Sequence, residues 1–200
     1  IVQLDATIDK FLDYARPDHV TLTPVNLRGV VASCVYAVQD HRELQITMDV
    51  SEDLNVLADE VELARILSNL LENARRYGKT AETEVAHVEI AAKGREQWVL
   101  LKVRDHGSGV PPEQLANLTK PFFRGDSART AAAGAGLGLS IVDKTIQRMG
   151  GIFALANAAS GGLVAHVQLQ RASTAEGTEA HQRLQRPLVK RKLPPRVTKI

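Results

Sequence analysis

The sequence predicts an α+β fold, a two-layer α/β sandwich in which one mixed sheet is covered on one face by three helices. Three observations predict it. Strand-like segments cluster along the chain, whereas only three segments have the length and apolar period of a main helix. No internal repeat divides the 200 residues, which suffice for one domain with a core plus appendages. Hydrophobic residues make up 44% and charged residues 24%, the balance of an ordinary soluble globular domain.

Residues 1–16 carry apolar positions at Ile1, Leu4, Ile8, Phe11, Leu12 and Ala15, a helical stripe that Arg16-Pro17 ends. Residues 20–23 read as a strand, 26–40 as a helix and 44–50 as a second strand. Residues 54–58 form a short strand, after which Asp59 caps a long helix that runs to Tyr77. Strands follow over 86–92 and 97–103, the latter leading to Asp105. Residues 105–133 read as a loop region. A helix over 137–149 and strands over 152–156 and 163–170 complete the domain.

Cys34, the single cysteine, excludes a disulfide framework and a cysteine metal cluster, and fits a reducing cytosol. It sits in the apolar run from Val30 to Val35, so a buried, inert thiol is expected. No stretch approaches the roughly twenty apolar residues that span a bilayer, and no signal peptide is recognisable. The chain begins at Ile1 rather than Met, so it reads as a piece of something longer, with any membrane anchor upstream. Its net charge of +2 is unevenly spread. From Arg171 onward eight Lys/Arg face two Glu, a local balance of +6 that leaves −4 for residues 1–170. This tail has three prolines, no aromatic residue to stack on a base and no helical period. A solvated, disordered extension over 171–200 is expected, and no nucleic-acid partner.

Four short segments carry the function. They are Asn69-Leu-Leu-Glu-Asn73-Ala-Arg-Arg-Tyr77, Asp105-His-Gly107-Ser-Gly109, Pro121-Phe-Phe-Arg124-Gly125 and Gly134-Ala135-Gly136-Leu137-Gly138-Leu139. Each alone is weak, because glycine pairs and Asn-bearing helices are common; the four in this order are hard to explain as coincident loops and caps. Together they resemble the N, G1, F and G2 boxes of the sensor histidine kinases, over residues 1 to about 170. The run Arg124-Gly-Asp-Ser-Ala-Arg-Thr130 narrows the resemblance to the EnvZ-type osmosensor subgroup. The resemblance implies the Bergerat ATP-binding fold over residues 17–170, with Mg-ATP as the ligand. Residues 1–16 would then end the second helix of a dimerisation and phosphoacceptor hairpin, although a plain amphipathic helix fits the pattern equally.

The residue types suit that ligand. Asn69, Asn73, Arg76 and Tyr77 fall at i, i+4, i+7 and i+8, one polar stripe beside the apolar stripe of Leu63, Ile66, Leu67, Leu70, Leu71 and Ala74. The Asn73 carbonyl oxygen is a hard neutral ligand for Mg²⁺, Arg76 offsets phosphate charge, and Tyr77 packs on the nucleotide. Polar residues facing water give the same stripe. Asp105 accepts the exocyclic amino hydrogens of adenine, which guanine lacks at that position, and Gly107 and Gly109 let backbone approach the base. An Asp-Gly turn is the plain alternative. His106 departs from the acidic or small residue common in the family and is read as solvent-facing. Gly134, Ala135, Gly136, Leu137, Gly138 and Leu139 lead into a helix whose first N–H groups make a phosphate site, neither a P-loop nor a Rossmann loop in spacing. The Ala-rich stretch 128–135 reads as a mobile lid, with Arg124 at its hinge by resemblance, which also counts Gly125 among the ATP-binding residues. Thr119 stands where the family has a phenylalanine, so lid packing is expected to differ.

The same pocket type occurs in gyrase, Hsp90 and MutL-like ATPases, where a glutamate four residues before the metal-binding Asn activates water. Here that position is Asn69, which is no general base, and Glu72 points about 100° away round the helix. The implied chemistry is transfer of the γ-phosphate to a histidine supplied from outside the pocket. None of His19, His41, His87, His106, His166 or His181 has the phosphoacceptor setting. The implied partners are the protein's own dimerisation domain, a response regulator and a second copy in a homodimer. The implied location is the cytoplasmic side of an inner membrane. Two readings compete: a nucleotide-binding interaction module that has lost kinase activity, and a gyrase-type ATPase.

Overall fold

The computed structural model of the chain describes residues 19–79, 84–124 and 135–172. Along them lie β1 (Thr23–Asn26), α1 (Leu27–Ala37), β2 (Leu44–Asp49), β3 (Asn55–Ala58), α2 (Glu60–Tyr77), β4 (Ala86–Arg95), β5 (Trp98–Asp105), α3 (Pro112–Leu115), α4 (Gly138–Arg148), β6 (Ile152–Asn157) and β7 (Leu163–Gln170). The fold is the expected α+β sandwich. Its five-stranded sheet has the order β2-β4-β5-β7-β6, with β2 parallel to β4 and every other pair antiparallel. The helix α2 packs against α1, α4, β4 and β5, which puts the three long helices in one layer.

Strand alternation creates the two faces. Val88, Ile90 and Ala92 of β4 and Val99, Leu101 and Val103 of β5 are buried against the helices. Glu89, Leu100, Lys102 and Arg104 stand on the opposite face, which none of the described helices covers. From α2, Leu63, Ile66, Leu67, Leu70, Leu71 and Ala74 all enter the core, the stripe that the sequence pattern gives. Asp59 caps this helix by accepting from the N–H groups of Val61 at 3.1 Å and Glu62 at 3.2 Å. Its second oxygen accepts from Thr21 N–H at 3.0 Å. That bond is the chief reason its carboxyl lies below the usual range, against the opposing effect of burial. Cys34 is buried, and burial pushes its thiol up against a smaller opposing effect of Ser68, as an inert core cysteine requires.

A two-stranded ribbon accompanies the expected mixed sheet. The strands β1 and β3 form a separate antiparallel ribbon, from Thr23 opposite Ala58 to Asn26 opposite Asn55, which meets the main sheet through a single Val56–Arg171 bridge. The first strand lies three residues later than 20–23 because Pro24 is accepted inside it, as proline is on an edge strand. Asn26 ends that strand and caps α1, its side chain accepting from Gly29 N–H at 2.8 Å. The helix α1 stops at Ala37 rather than 40, β4 and β5 run on to Arg95 and Asp105, and the loop region contains the one-turn helix α3. The N-terminal stripe over 1–16 and all but Arg171 and Ala172 of the basic tail lie outside the described residues. Among the described residues, no helix is long and apolar enough to cross a membrane.

Candidate functional site

The C-terminal half of α2 and the start of α4 converge. A Cβ built on Gly138 would lie 3.4 Å from Asn69 Oδ1 and 3.7 Å from both amide atoms of Asn73. Glycine at this crossing lets the first turn of α4 reach the two amides. Asn69 spends its Nδ2 on the Arg65 carbonyl at 3.0 Å, which leaves Oδ1 towards Gly138. Asn73 Nδ2 is buried with no hydrogen-bond partner. Such an amide is costly unless a ligand or water completes it. The helix α4 begins with no side-chain cap: Leu137 is buried, and Ser140 turns its hydroxyl back to the Leu137 carbonyl at 2.8 Å. Its first backbone N–H groups are therefore free to face an anion beside the two Asn amides.

Asp105 closes the other end. It leaves β5 on the helix-covered side, and its Oδ1 accepts from Gly107 N–H at 2.9 Å and from Leu163 N–H at 3.1 Å. The two bonds fix the carboxylate plane and direct Oδ2 away from the backbone donors. Gly107 is required by crowding, since a Cβ there would lie 2.6 Å from the Tyr77 carbonyl. Gly109 adopts φ +72°, and Asn157 clasps the loop beside it by donating to Val110 O at 2.6 Å and accepting from Val110 N–H at 3.0 Å. His106 is not simply solvent-facing: its Nε2 lies 2.9 Å from Glu89 Oε1 and its side chain is 34% exposed.

Along the stripe of α2, Tyr77 is 40% exposed beside this loop. Arg76 does not stand alone, because its Nε donates to Glu72. Glu72 also takes two bonds from Arg75, at 2.8 and 2.9 Å. Burial alone would raise the Glu72 carboxyl, but the two guanidinium groups outweigh it and hold it at about 2, down from 4.5. A carboxylate so acidic takes no proton from water at neutral pH. The depressed value also has a stability consequence, which is present above about pH 4.5 and fades as the pH falls towards 2. Glu72→Gln should cost about 1 kcal/mol at pH 7, after screening of a group one-third exposed. Urea denaturation checks it: the gap from wild type should shrink at pH 3, and an equal gap at both pH values would rule out the ion pair as its source.

Asn69, Asn73, Arg76, Tyr77, Asp105, Gly107, Gly109, Gly136, Leu137, Gly138 and Leu139 thus lie on elements that meet around α2. Ala135 leads into this turn, and Arg124 is the last described residue before the stretch 125–134. Gly125 and Gly134 lie outside the described residues. The chain on either side of that stretch is joined: Phe122 N–H donates to Gly136 O at 2.9 Å, and a Cβ on Gly136, at φ +68°, would strike the Phe122–Phe123 backbone. Phe122 is 61% exposed. Sequence reasoning missed Gly78, Asn157, Gly162 and the Leu163 N–H. A Cβ on Gly78 would lie 2.8 Å from that of Asp105, and one on Gly162 would lie 1.9 Å from the Asp105 carbonyl. The Gly161-Gly162 pair signals a turn in the sequence, but nothing local says that the turn closes on Asp105.

The residues fit a magnesium nucleotide. Among the described residues no three His, Cys, Asp or Glu side chains converge as a metal centre. A cation here would take one amide oxygen, from Asn73, and the rest from phosphate and water, which suits Mg²⁺.

Residues 58–185 match the family described as histidine kinase-, DNA gyrase B-, and HSP90-like ATPase. The chain is 31% identical over 154 residues to the sensor histidine kinase ZraS of Salmonella typhimurium, covering 74% of this chain and 31% of that protein. Among solved structures it is similar to a mycobacterial sensor histidine kinase MprB, with a TM-score of 0.67 and 25% identity over 76% of this chain and all of that one. It is also similar to full-length ShkA in complex with AMPPNP, with a TM-score of 0.72 and 27% identity over 86% of this chain and 36% of that one. The chain spans about a third of the length of the curated relatives it matches.

Proposed function

The chain belongs to the histidine kinase-, DNA gyrase B-, and HSP90-like ATPase family, and from that premise we propose that it is the ATP-binding catalytic domain of a two-component sensor histidine kinase of the EnvZ-type subgroup. One observation carries the choice within the family. The position four residues before Asn73 holds an amide, Asn69, and the neighbouring carboxylate, Glu72, is bound by two guanidinium groups. Neither group can activate water, so the site favours holding ATP and presenting its γ-phosphate over hydrolysing it. Asp105 reads the adenine amino group, the start of α4 receives phosphate, and Asn73 holds Mg²⁺, whose charge offsets that of the phosphates. Arg76, kept in place by Glu72, adds positive charge at the same shoulder, and the resemblance adds Arg124 and Gly125 to the ATP-binding residues.

In this reading residues 17–170 are the catalytic domain, residues 1–16 the end of a hairpin helix and 171–200 an appended basic tail. The acceptor imidazole comes from the protein's own dimerisation domain within a homodimer. The phosphate then passes to an aspartate of a response regulator, on the cytoplasmic side of an inner membrane. The test is transfer of labelled γ-phosphate to a supplied histidine hairpin. Labelled hairpin, with little phosphate released by the chain alone, is the expected result. Steady release without a hairpin would put the ATPase reading in its place. ATP binding with neither activity would favour an interaction module.

A further inference from the structure

Behind Asp105, on the sheet face opposite the described helices, lies a charged cluster that the proposed reaction does not use. β5 alternates, so Asp105 goes with Leu101 and Val103 to the helix side, whereas Arg104 and then His106 go to the other. Glu89 of β4 stands opposite Arg104 in the ladder. Its Oε1 lies 2.9 Å from His106 Nε2, and its Oε2 lies 4.0 Å from Arg104 Nη1 and 3.9 Å from Lys102 Nζ. Arg104 in turn donates through Nη2 to Ser160 Oγ at 2.6 Å and to Gly161 O at 3.3 Å. That holds the β6–β7 turn, the same turn whose Gly162 lies against the Asp105 carbonyl and whose Leu163 N–H fixes Asp105 Oδ1. The His106 backbone N–H donates to His87 O at 3.2 Å, which completes the frame from β4.

We propose that Glu89 is a positioning residue for adenine recognition: through Arg104 and His106 it fixes the Asp105 carboxylate from behind. The proposal rests on the reading of Asp105 as the adenine acceptor. The Glu89 carboxylate thereby ties the residue that follows Asp105 to the arginine that holds the β6–β7 turn. The charged groups around the link are Glu89 on β4, Lys102 and Arg104 on β5, which share the Glu89 carboxylate, and Asp105 next in the chain. His87 meets it through its carbonyl, and His166 of β7 stands opposite Lys102. With the His106 and Glu89 side chains 34% and 43% exposed, screening limits the effect to a few-fold.

The test is calorimetric titration of Mg-ATP and Mg-GTP into the wild-type chain, Glu89→Gln and His106→Asn, with thermal melts alongside. Glu89→Gln should bind ATP about fivefold more weakly and GTP as wild type does, so the preference for ATP narrows. His106→Asn should narrow it about threefold. A merely structural role would weaken both nucleotides alike. Folded variants that keep the wild-type preference would overturn the brace, leaving Gly107 and Leu163 to hold Asp105 alone. Should Glu89→Gln fail to fold, the His106→Asn preference decides. Absence of ATP binding by wild type would remove the adenine reading itself, and the brace with it.

Discussion

Replacing Asp105 with asparagine should weaken Mg-ATP binding by about 10- to 100-fold while the fold survives. The reason is the fixed orientation of the carboxylate. Gly107 and Leu163 both donate to Oδ1, so an asparagine will keep its oxygen there and turn its NH₂ towards the ligand. That group would meet the adenine amino hydrogens donor to donor, and a hydrogen bond to a charged acceptor would be lost, worth about 1.5–3 kcal/mol. The two backbone donors stay satisfied, so the melting temperature should hardly move. The same NH₂ can donate to the guanine carbonyl, so the gap between ATP and GTP should narrow. Titration of both nucleotides, with a melt of each protein, measures all three effects. Undiminished ATP binding would place adenine recognition on other groups.

Much of this site is legible in the chain because its chemistry is local. The N-box helix needs only Asp59 to start it and the spacing of Leu63, Ile66, Leu67, Leu70, Leu71 and Ala74 to decide which side is buried, and those signals lie within 18 residues. Asn69 and Asn73 then follow on the shoulder. Asp105 is marked by its place at the end of an apolar strand, and the glycines around Leu137 by their spacing before a helix. What could not be read is what these pieces do to one another. Arg76 looked free to meet phosphate, but the same helix turn carries Glu72, and an i,i+4 pair forms as readily as a ligand contact. His106 looked like a solvent-facing substitution because its partner, Glu89, is 17 residues away on the neighbouring strand. The separate β1–β3 ribbon was hidden for the same reason. Pairing partners are set by topology, and strands of four residues carry too little pattern to choose them. Asn157 and Gly162 are the clearest misses, since each acts on backbone about fifty residues away.

Gly162→Ala should be the most damaging single-methyl change among these glycines, costing about 2–5 kcal/mol of stability and ATP affinity with it. Two effects combine. Gly162 has φ +88°, a region that costs an alanine roughly 1–2 kcal/mol. The added Cβ would also sit 1.9 Å from the Asp105 carbonyl oxygen and 3.1 Å from His106 Cα, both rigid backbone, so the turn must retreat. Retreat carries Leu163 N–H away from Asp105 Oδ1 and strains the Arg104 bonds to Ser160 and Gly161. Gly150→Ala separates the two effects. Its φ is +71°, but nothing lies within 4 Å of its built Cβ, so it should lose only the conformational part and bind ATP as wild type does. Denaturation and ATP titration of both variants give the comparison. Equal losses of stability would reduce Gly162 to an ordinary turn glycine. A larger loss at Gly162 with unchanged ATP affinity would mean that the β6–β7 turn supports the sheet but does not orient the adenine carboxylate.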